Sequence, residues 1–287
     1  MSALAVPAHG GGTGVAGWLG DPALLACAVG AAVYALGHRR IARRAPRSAV
    51  VSPVRTAAFW CGWAVLVVAV SPPFDEVADD LMSVHMVQHL LLGLVAPLLL
   101  VLGTPLVVAT AVLPVRARRR AVRAGHRVSR TSHASHRPVG LAASILVAVV
   151  ATWTVWHVPT IYDAAVRHEP LHDVEHLLMF ATGCALWWLV VTTGWHERSG
   201  LAVVYLFLLG LPMGAVAALL TLAPRTLYES QLRSAAERGV APLSDQQIAG
   251  AIMWVPGGLV LLVAASVLFV RWLGSGPSPG ERVSWDG

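Results

Sequence analysis

The chain has 287 residues, of which 56% are hydrophobic and 13% are charged, and its mean hydropathy is +0.66. A soluble domain has about a quarter charged residues, so this composition excludes an ordinary soluble protein and predicts one that crosses a membrane several times. The formal net charge is +6, and every basic side chain apart from histidine is an arginine. The arginines cluster between apolar stretches, which favours a role in topology and in contact with membrane lipid over nucleic-acid binding.

Seven apolar stretches are each about long enough to cross a bilayer as a helix. They run at about 22–37, 56–70, 78–102, 139–157, 171–192, 200–222 and 246–272. We therefore predict an all-α, polytopic membrane bundle of seven transmembrane helices over residues 21–273. We expect a flexible extracytoplasmic tail at 1–20 and a disordered cytoplasmic tail at 274–287.

Local signals add three expectations within these stretches. Pro97 predicts a kink in the third stretch, and the run from Gly210 to Gly214 around Pro212 predicts an interruption of the sixth. Ser244 and Gln247 have the spacing of a capping box at the start of the seventh.

The charge of the connections predicts the orientation of the bundle. Arginines crowd the first and third connections, at 39–55 and 116–137, whereas four acidic residues mark the second, at 75–80. Cytoplasmic loops carry the excess of basic residues. The N-terminus is therefore expected outside the cell, and the C-terminus inside.

Two of the stretches carry histidine pairs with the spacing His-x-x-x-His. The pairs are His85/His89 and His172/His176, and His157 ends the stretch between them. Residues four apart lie on one face of a helix, so each pair directs two imidazoles toward one point. The predicted topology places all five at one depth on the outer side. Because imidazoles are costly to place beside lipid, this arrangement indicates a functional site.

Further potential ligands lie on or near the same helix faces. Imidazole with thioether suits copper, whereas imidazole with carboxylate suits zinc or iron. We predict a metal site, with copper as the metal and zinc or iron as alternatives, whose ligands are His85, His89, His157, His172 and His176. Additional ligands, or partners that orient an imidazole, are expected among Met82, Met86, Asp75, Asp163, Glu175 and Met179.

Other uses of the histidines stay open at this point. A single pair can form hydrogen bonds between helices or face a water-filled cavity. One haem held by two histidines would leave three unexplained, and two haems would be crowded because four residues rise only about 6 Å. A membrane hydroxylase with a two-metal site would usually contain a larger histidine set.

Three segments carry a family resemblance. They are SPPFDEVADDLMSVHMVQHLLLGLVAPLLLVLGTP, WHVPTIYDAAVRHEPLHDVEHLLMF and DQQIAGAIMWVPGG. Together they resemble the bacterial CtaG-type, multi-span cytochrome c oxidase assembly factor family, over about Ala23 to Trp272. The positions that match its motifs are His85, Met86, Gln88, His89, Trp156, His157, Pro159, Tyr162, Asp163, His172, Glu175, His176, Asp245, Gln246, Met253 and Trp254.

The resemblance implies a multi-pass protein of the bacterial plasma (inner) membrane that helps to mature a haem-copper oxidase. It implies copper handling for the oxidase rather than enzymatic turnover, with cytochrome c oxidase subunits as partners. Which subunit it meets, and its own oligomeric state, are left open. A haem-binding or redox membrane protein and a copper permease remain alternatives, the latter because of the expected interruption at Pro212.

Overall fold

The computed structural model describes residues 20–121, 123, 137–192 and 199–274. In these ranges the regular elements are helices, with no strand. The helices are α1 Pro22–Arg44, α2 Pro53–Ala69, α3 Pro72–Asp80, α4 Met82–Leu90, α5 Ala96–Leu102, α6 Pro105–Thr110, α7 Arg137–Trp156, α8 Pro159–Arg167, α9 Glu169–Thr192, α10 Ser199–Leu222, α11 Ser230–Glu237 and α12 Pro242–Gly274. The predicted tails fall outside the described residues, apart from their inner ends at 20 and 274, as does most of the arginine-rich connection before α7.

Within the part of the chain that the structure describes, five helices are long and apolar enough to cross a membrane, and one of them is continuous from Met82 to Leu102 through α4 and α5. Two further candidates are bent pairs: α2 with α3, at 54°, and α7 with α8, at 76°. The all-helical architecture is therefore confirmed for the described residues, with five to seven candidate membrane spans. The exact count of seven and the orientation stay predictions.

Prolines explain both bends. Pro72 and Pro73 follow the end of α2, and Pro159 begins α8 after Val158, which is extended at φ −69° and ψ 125°. The helical region is disfavoured for a residue before proline, and Val158 is extended, so α7 ends before it and the chain turns. We call α3, α8 and α11 the cap. These short helices are joined to one another by hydrogen bonds at one end of the bundle, which we call the capped end.

The third predicted stretch needs a correction at its start. Ala78 and Asp80 belong to α3, and the long helix begins only at Met82. Two other expectations are wrong. Pro212 lies inside the unbroken helix α10, and Ser244 lies inside α12, which already begins at Pro242. The proline at the first turn starts the helix earlier because its fixed φ suits that position.

The expected kink at Pro97 takes the form of a π-helical turn. Residues Leu91–Val95 are π-helical, and the N–H of Ala96 donates to the carbonyl of Leu91. Proline lacks the N–H that an α-helix would need and clashes with the preceding turn, so a wider turn accommodates it. The Trp187 indole donates to the Leu94 carbonyl in this turn, at 2.9 Å.

Two glycines allow close packing around the π-helical turn, Gly183 for the backbone of α9 and Gly93 for the Trp153 ring of α7. A Cβ at Gly183 would overlap the carbonyl oxygen of Gly93, and a Cβ at Gly93 would come within 2.8 Å of the Trp153 ring. Because backbone, rather than a flexible side chain, is the obstacle at Gly183, a side chain there must push the two helices apart.

We therefore expect Gly183→Ala to lower the thermal unfolding temperature of the detergent-solubilised protein. Overpacking of this kind costs about 1–3 kcal/mol. Gly214→Ala is the matched control, since nothing lies within 4 Å of a Cβ there and alanine favours a helix. Equal unfolding temperatures for wild type and Gly183→Ala would contradict the close packing described here.

Candidate metal centre

Four histidines from two distant helices meet at the capped end of the bundle. The ring centroids are 4.3 Å apart for His85 and His89 and 4.1 Å for His172 and His176. Between the pairs, His85 lies 5.3 Å from His172, and His89 lies 5.7 Å from His176. The structure thus brings together α4 and α9, whose histidines were predicted to converge.

His157 adjoins this group from the end of α7. Its ring centroid lies 5.9 Å from that of His89, and its ring stacks at 11° on that of Trp153. Its Nδ1 lies 2.5 Å from the Trp153 carbonyl oxygen, and its Nε2 lies 3.3 Å from the sulfur of Met86. We refer to the five residues His85, His89, His157, His172 and His176 as the histidine cluster.

Three overlapping groups within the described residues have the geometry to hold a metal ion. In each, one ligand atom from every member lies within 4.8 Å of the others. The groups are His85/His89/His176, Asp75/His172/His176 and Asp79/His85/His172. Because they share histidines, they form a connected set that runs from purely imidazole to mixed imidazole and carboxylate donors.

The hydrogen bonding of the inner histidines fits a bound cation. Among the described residues, neither ring nitrogen of His89 nor Nε2 of His176 has a hydrogen-bond partner. Neither nitrogen of His85 forms a hydrogen bond of normal geometry, although the Ala78 carbonyl lies nearby. His85 and His89 are both 0% exposed. Buried polar atoms normally have partners, and leaving one without costs about 1–3 kcal/mol, so a metal ion is a natural acceptor of these lone pairs.

Glu175 adds a buried carboxylate beside the imidazoles. It is 0% exposed, and its Oε1 lies 3.4 Å from Nε2 of His89, without the geometry of a hydrogen bond. A carboxylate removed from water is stabilised by an adjacent positive charge. Its position therefore also suits a site that receives a cation.

Asp75 and Asp79 face the cluster from α3. The side-chain amide of Gln88 donates to Asp75 Oδ1 at 2.7 Å and to the Ala69 carbonyl at 2.8 Å. The carboxylate of Asp79 lies 3.9 Å from Nδ1 of His172. Asp79 was not among the ligands predicted from the sequence, although its spacing of four from Asp75 places both carboxylates on one face of a helix.

The remaining predicted residues lie in different surroundings. Met82 and Met179 are buried in the hydrophobic core. Asp163 joins none of the three metal-capable groups; its Oδ1 accepts from the N–H and the hydroxyl of Ser230, at 2.9 and 2.7 Å. Tyr162 was matched only as a motif residue. Its ring centroid lies 5.2 Å from that of His85, and its hydroxyl has no partner in the described chain.

The cap is held over the cluster by contacts from the segment between α10 and α12. Tyr228 donates from its hydroxyl to the backbone carbonyl of His157 at 2.8 Å. Burial, followed by the nearby Asp163 carboxylate, raises the pKa of Tyr228, so this hydroxyl stays protonated as a donor. Ser234 on α11 donates to the backbone carbonyl of Asp80 at 3.0 Å. Nε of Arg238, the residue after α11, donates to the side-chain carboxylate of Asp80 at 2.7 Å.

Asp245 caps the helix that carries the first histidine pair. Its carboxylate accepts from the backbone N–H of Met82 at 2.6 Å and of Ser83 at 3.2 Å, and it also contacts the Ser83 hydroxyl. The first N–H groups of a helix need such acceptors. α4 has no cap from its own preceding residue, Leu81, so α12 supplies one and fixes where His85 and His89 point.

We expect Asp245→Ala to lower the unfolding temperature, because two backbone donors lose their acceptor at a cost of about 1–3 kcal/mol. Ser244→Ala is the control from the next position, since Ser244 is exposed. A thermal unfolding assay in detergent distinguishes the two. If Ser244→Ala destabilised the protein more than Asp245→Ala, the interhelical cap would be refuted in favour of a capping box at Ser244.

A comparison with protein-family models matches residues 32–275 to the family described as cytochrome c oxidase caa3 assembly factor (Caa3_CtaG). The match spans most of the chain and contains the whole histidine cluster and the cap. No match to a curated protein or to a solved structure is found.

Proposed function

This chain belongs to the cytochrome c oxidase caa3 assembly factor family, and on that premise we propose that it binds copper at the histidine cluster and delivers it to a haem-copper oxidase. The observation that carries the proposal is the convergence of the histidine pairs of α4 and α9, in which the rings of His89 and His176 lie 5.7 Å apart and present buried nitrogens without hydrogen-bond partners. Imidazole is a good donor for copper, and zinc or iron can use the same atoms. Copper here is cargo, and no substrate is turned over.

The proposed ligands are the five histidines, with Glu175 supplying negative charge beside them. Asp75 and Asp79 are partly exposed on α3, and each belongs to a metal-capable group with histidines of the cluster. Metal ions would therefore meet carboxylates first and imidazoles next. Gln88, held by the Ala69 carbonyl, keeps the Asp75 carboxylate in place.

The capped end would face the outside of a bacterial plasma membrane. The end of α1 and the connection to α2 contain Arg39, Arg40, Arg43, Arg44 and Arg47. At the other end of α2, α3 contains Asp75, Glu76, Asp79 and Asp80. By the positive-inside rule the arginine end is cytoplasmic, where it would also contact anionic lipid. Subunits of the oxidase would then receive copper from the outer half of the bilayer.

Two other functions that the sequence left open are less well supported. Ring centroids of 4.1–6.2 Å within and between the histidine pairs crowd the space that a haem macrocycle would need between them. The unbroken α10 removes the helix interruption that favoured a permease. A Soret band in the purified protein, or copper uptake by proteoliposomes, would reinstate one or the other.

Metal analysis of the purified protein tests the site. Wild type is expected to retain copper. The copper content of His85→Ala/His89→Ala should be at least about tenfold lower, because two ligands are removed. His85→Asn/His89→Gln repeats the loss with polar side chains, which guards against misfolding of the alanine variant. His168→Ala, an exposed histidine outside the cluster, should keep wild-type copper. Equal copper in all four proteins would remove the site assignment.

A second experiment tests the delivery. In a bacterial host that depends on this protein for its caa3-type oxidase, His85→Ala/His89→Ala should lower the copper content and activity of the oxidase at equal amounts of the assembly factor in the membrane. His168→Ala should leave both unchanged. Fully loaded oxidase in the double variant would overturn the proposed role in copper delivery.

A further inference from the structure

One contact in the histidine cluster differs in kind from the rest. Nε2 of His157 lies 3.3 Å from the sulfur of Met86, although neither atom has an evident proton to share. Met86 is 0% exposed and His157 is 6% exposed, so water does not account for the contact. The two residues come from α7 and α4 and meet just beside His89.

The other nitrogen of His157 determines which lone pair faces the sulfur. Nδ1 lies 2.5 Å from the carbonyl oxygen of Trp153. A carbonyl can only accept, so Nδ1 must carry the proton, and in a neutral imidazole Nε2 then carries a lone pair. A thioether sulfur has no hydrogen and acts only as an acceptor. Two lone pairs therefore face each other in a buried place.

Such an arrangement suits a metal ion bound by both atoms. A metal at about 2.0 Å from an imidazole nitrogen and about 2.3 Å from a sulfur separates the two by about 3.5 Å at a tetrahedral angle. The observed 3.3 Å is close to this separation. Thioether is a soft ligand that selects copper(I) over zinc and other divalent ions.

The position of His157 is also fixed independently of Met86. Its ring stacks on Trp153, and its backbone carbonyl accepts from the Tyr228 hydroxyl at 2.8 Å. Its backbone lies in the bend between α7, which ends at Trp156, and α8, which begins at Pro159. The imidazole is therefore held in place before any ion arrives, which lowers the cost of binding.

We infer that His157 and Met86 form a copper(I)-selective site of mixed nitrogen and sulfur ligation beside His89, at the edge of the histidine cluster. The inference rests on the proposed function in taking copper as the cargo. It adds that the cargo is the monovalent ion and that Met86 is a direct ligand. The imidazole and carboxylate groups on the other side of His89 do not provide this selectivity, since they suit divalent ions as well.

The test compares wild type, Met86→Leu and Met213→Leu as purified proteins. Leucine keeps the volume of methionine without its sulfur. Met213 is a buried core methionine on α10, which contributes no proposed ligand. Copper(I) under a reductant, silver(I) and zinc(II) serve as probes, and affinities are measured by competition with chelators of known strength. X-ray absorption at the copper edge then reports the ligand atoms.

Met86→Leu is expected to weaken copper(I) and silver(I) binding at least tenfold while zinc(II) binding stays within about twofold. The sulfur scatterer near 2.3 Å should be present in wild type and Met213→Leu and absent in Met86→Leu. A wild-type spectrum with nitrogen ligands alone would overturn the inference, as would an equal loss of all three ions in Met86→Leu.

The same measurements on His85→Ala/His89→Ala separate this inference from the proposed function. If that variant loses copper and wild type shows no sulfur, the proposed histidine site stands and the His157/Met86 site fails. If that variant keeps copper with a sulfur scatterer, the His157/Met86 site stands and the assignment of His85 and His89 fails.

Discussion

The structure depends on one set of polar contacts, which reach from the segment between α10 and α12 to the backbone around the histidines. Asp245 accepts from the first two N–H groups of α4, and Tyr228 donates to the carbonyl where α7 ends. Backbone groups without partners are especially costly inside a membrane. The breaks that place the histidines are possible only because residues from a distant part of the chain satisfy these groups.

Prolines determine where the helices that carry the histidines end, bend or widen. Pro159 begins α8 just beyond His157, the prolines after Ser71 turn α3 across the capped end, and Pro97 widens the helix after His89 into a π-helical turn. π-helical turns often occur near functional sites. Here the turn begins at Leu91, two residues after His89, and contains Gly93, against which Gly183 of α9 packs. The same glycine contact that packs the helices therefore also brings the two histidine pairs together.

The donor atoms differ in character across the site. Carboxylates of Asp75 and Asp79 lie partly exposed on α3, four imidazoles adjoin them, and the contact between His157 and the sulfur of Met86 lies beside His89. Hard oxygen donors bind many cations, whereas soft donors select few. A delivery protein for a soft ion gains specificity from a soft donor in the site, because that donor discriminates among the ions that carboxylates and imidazoles accept.

The sequence by itself determined the helical membrane class and the faces that carry the histidines, because hydropathy and a spacing of four are local properties of a helix. The family resemblance was confirmed for the same reason, since it rests on contiguous motifs. Only the tertiary structure decided which polar residues belong together. Asp163 looked equivalent to Asp75 in the sequence, yet its carboxylate accepts a hydrogen bond from Ser230 in the cap. Asp245 caps α4, a helix more than a hundred residues away in the sequence. Proline bends set those pairings, and a spacing along the chain does not reveal the direction in which a bent helix continues.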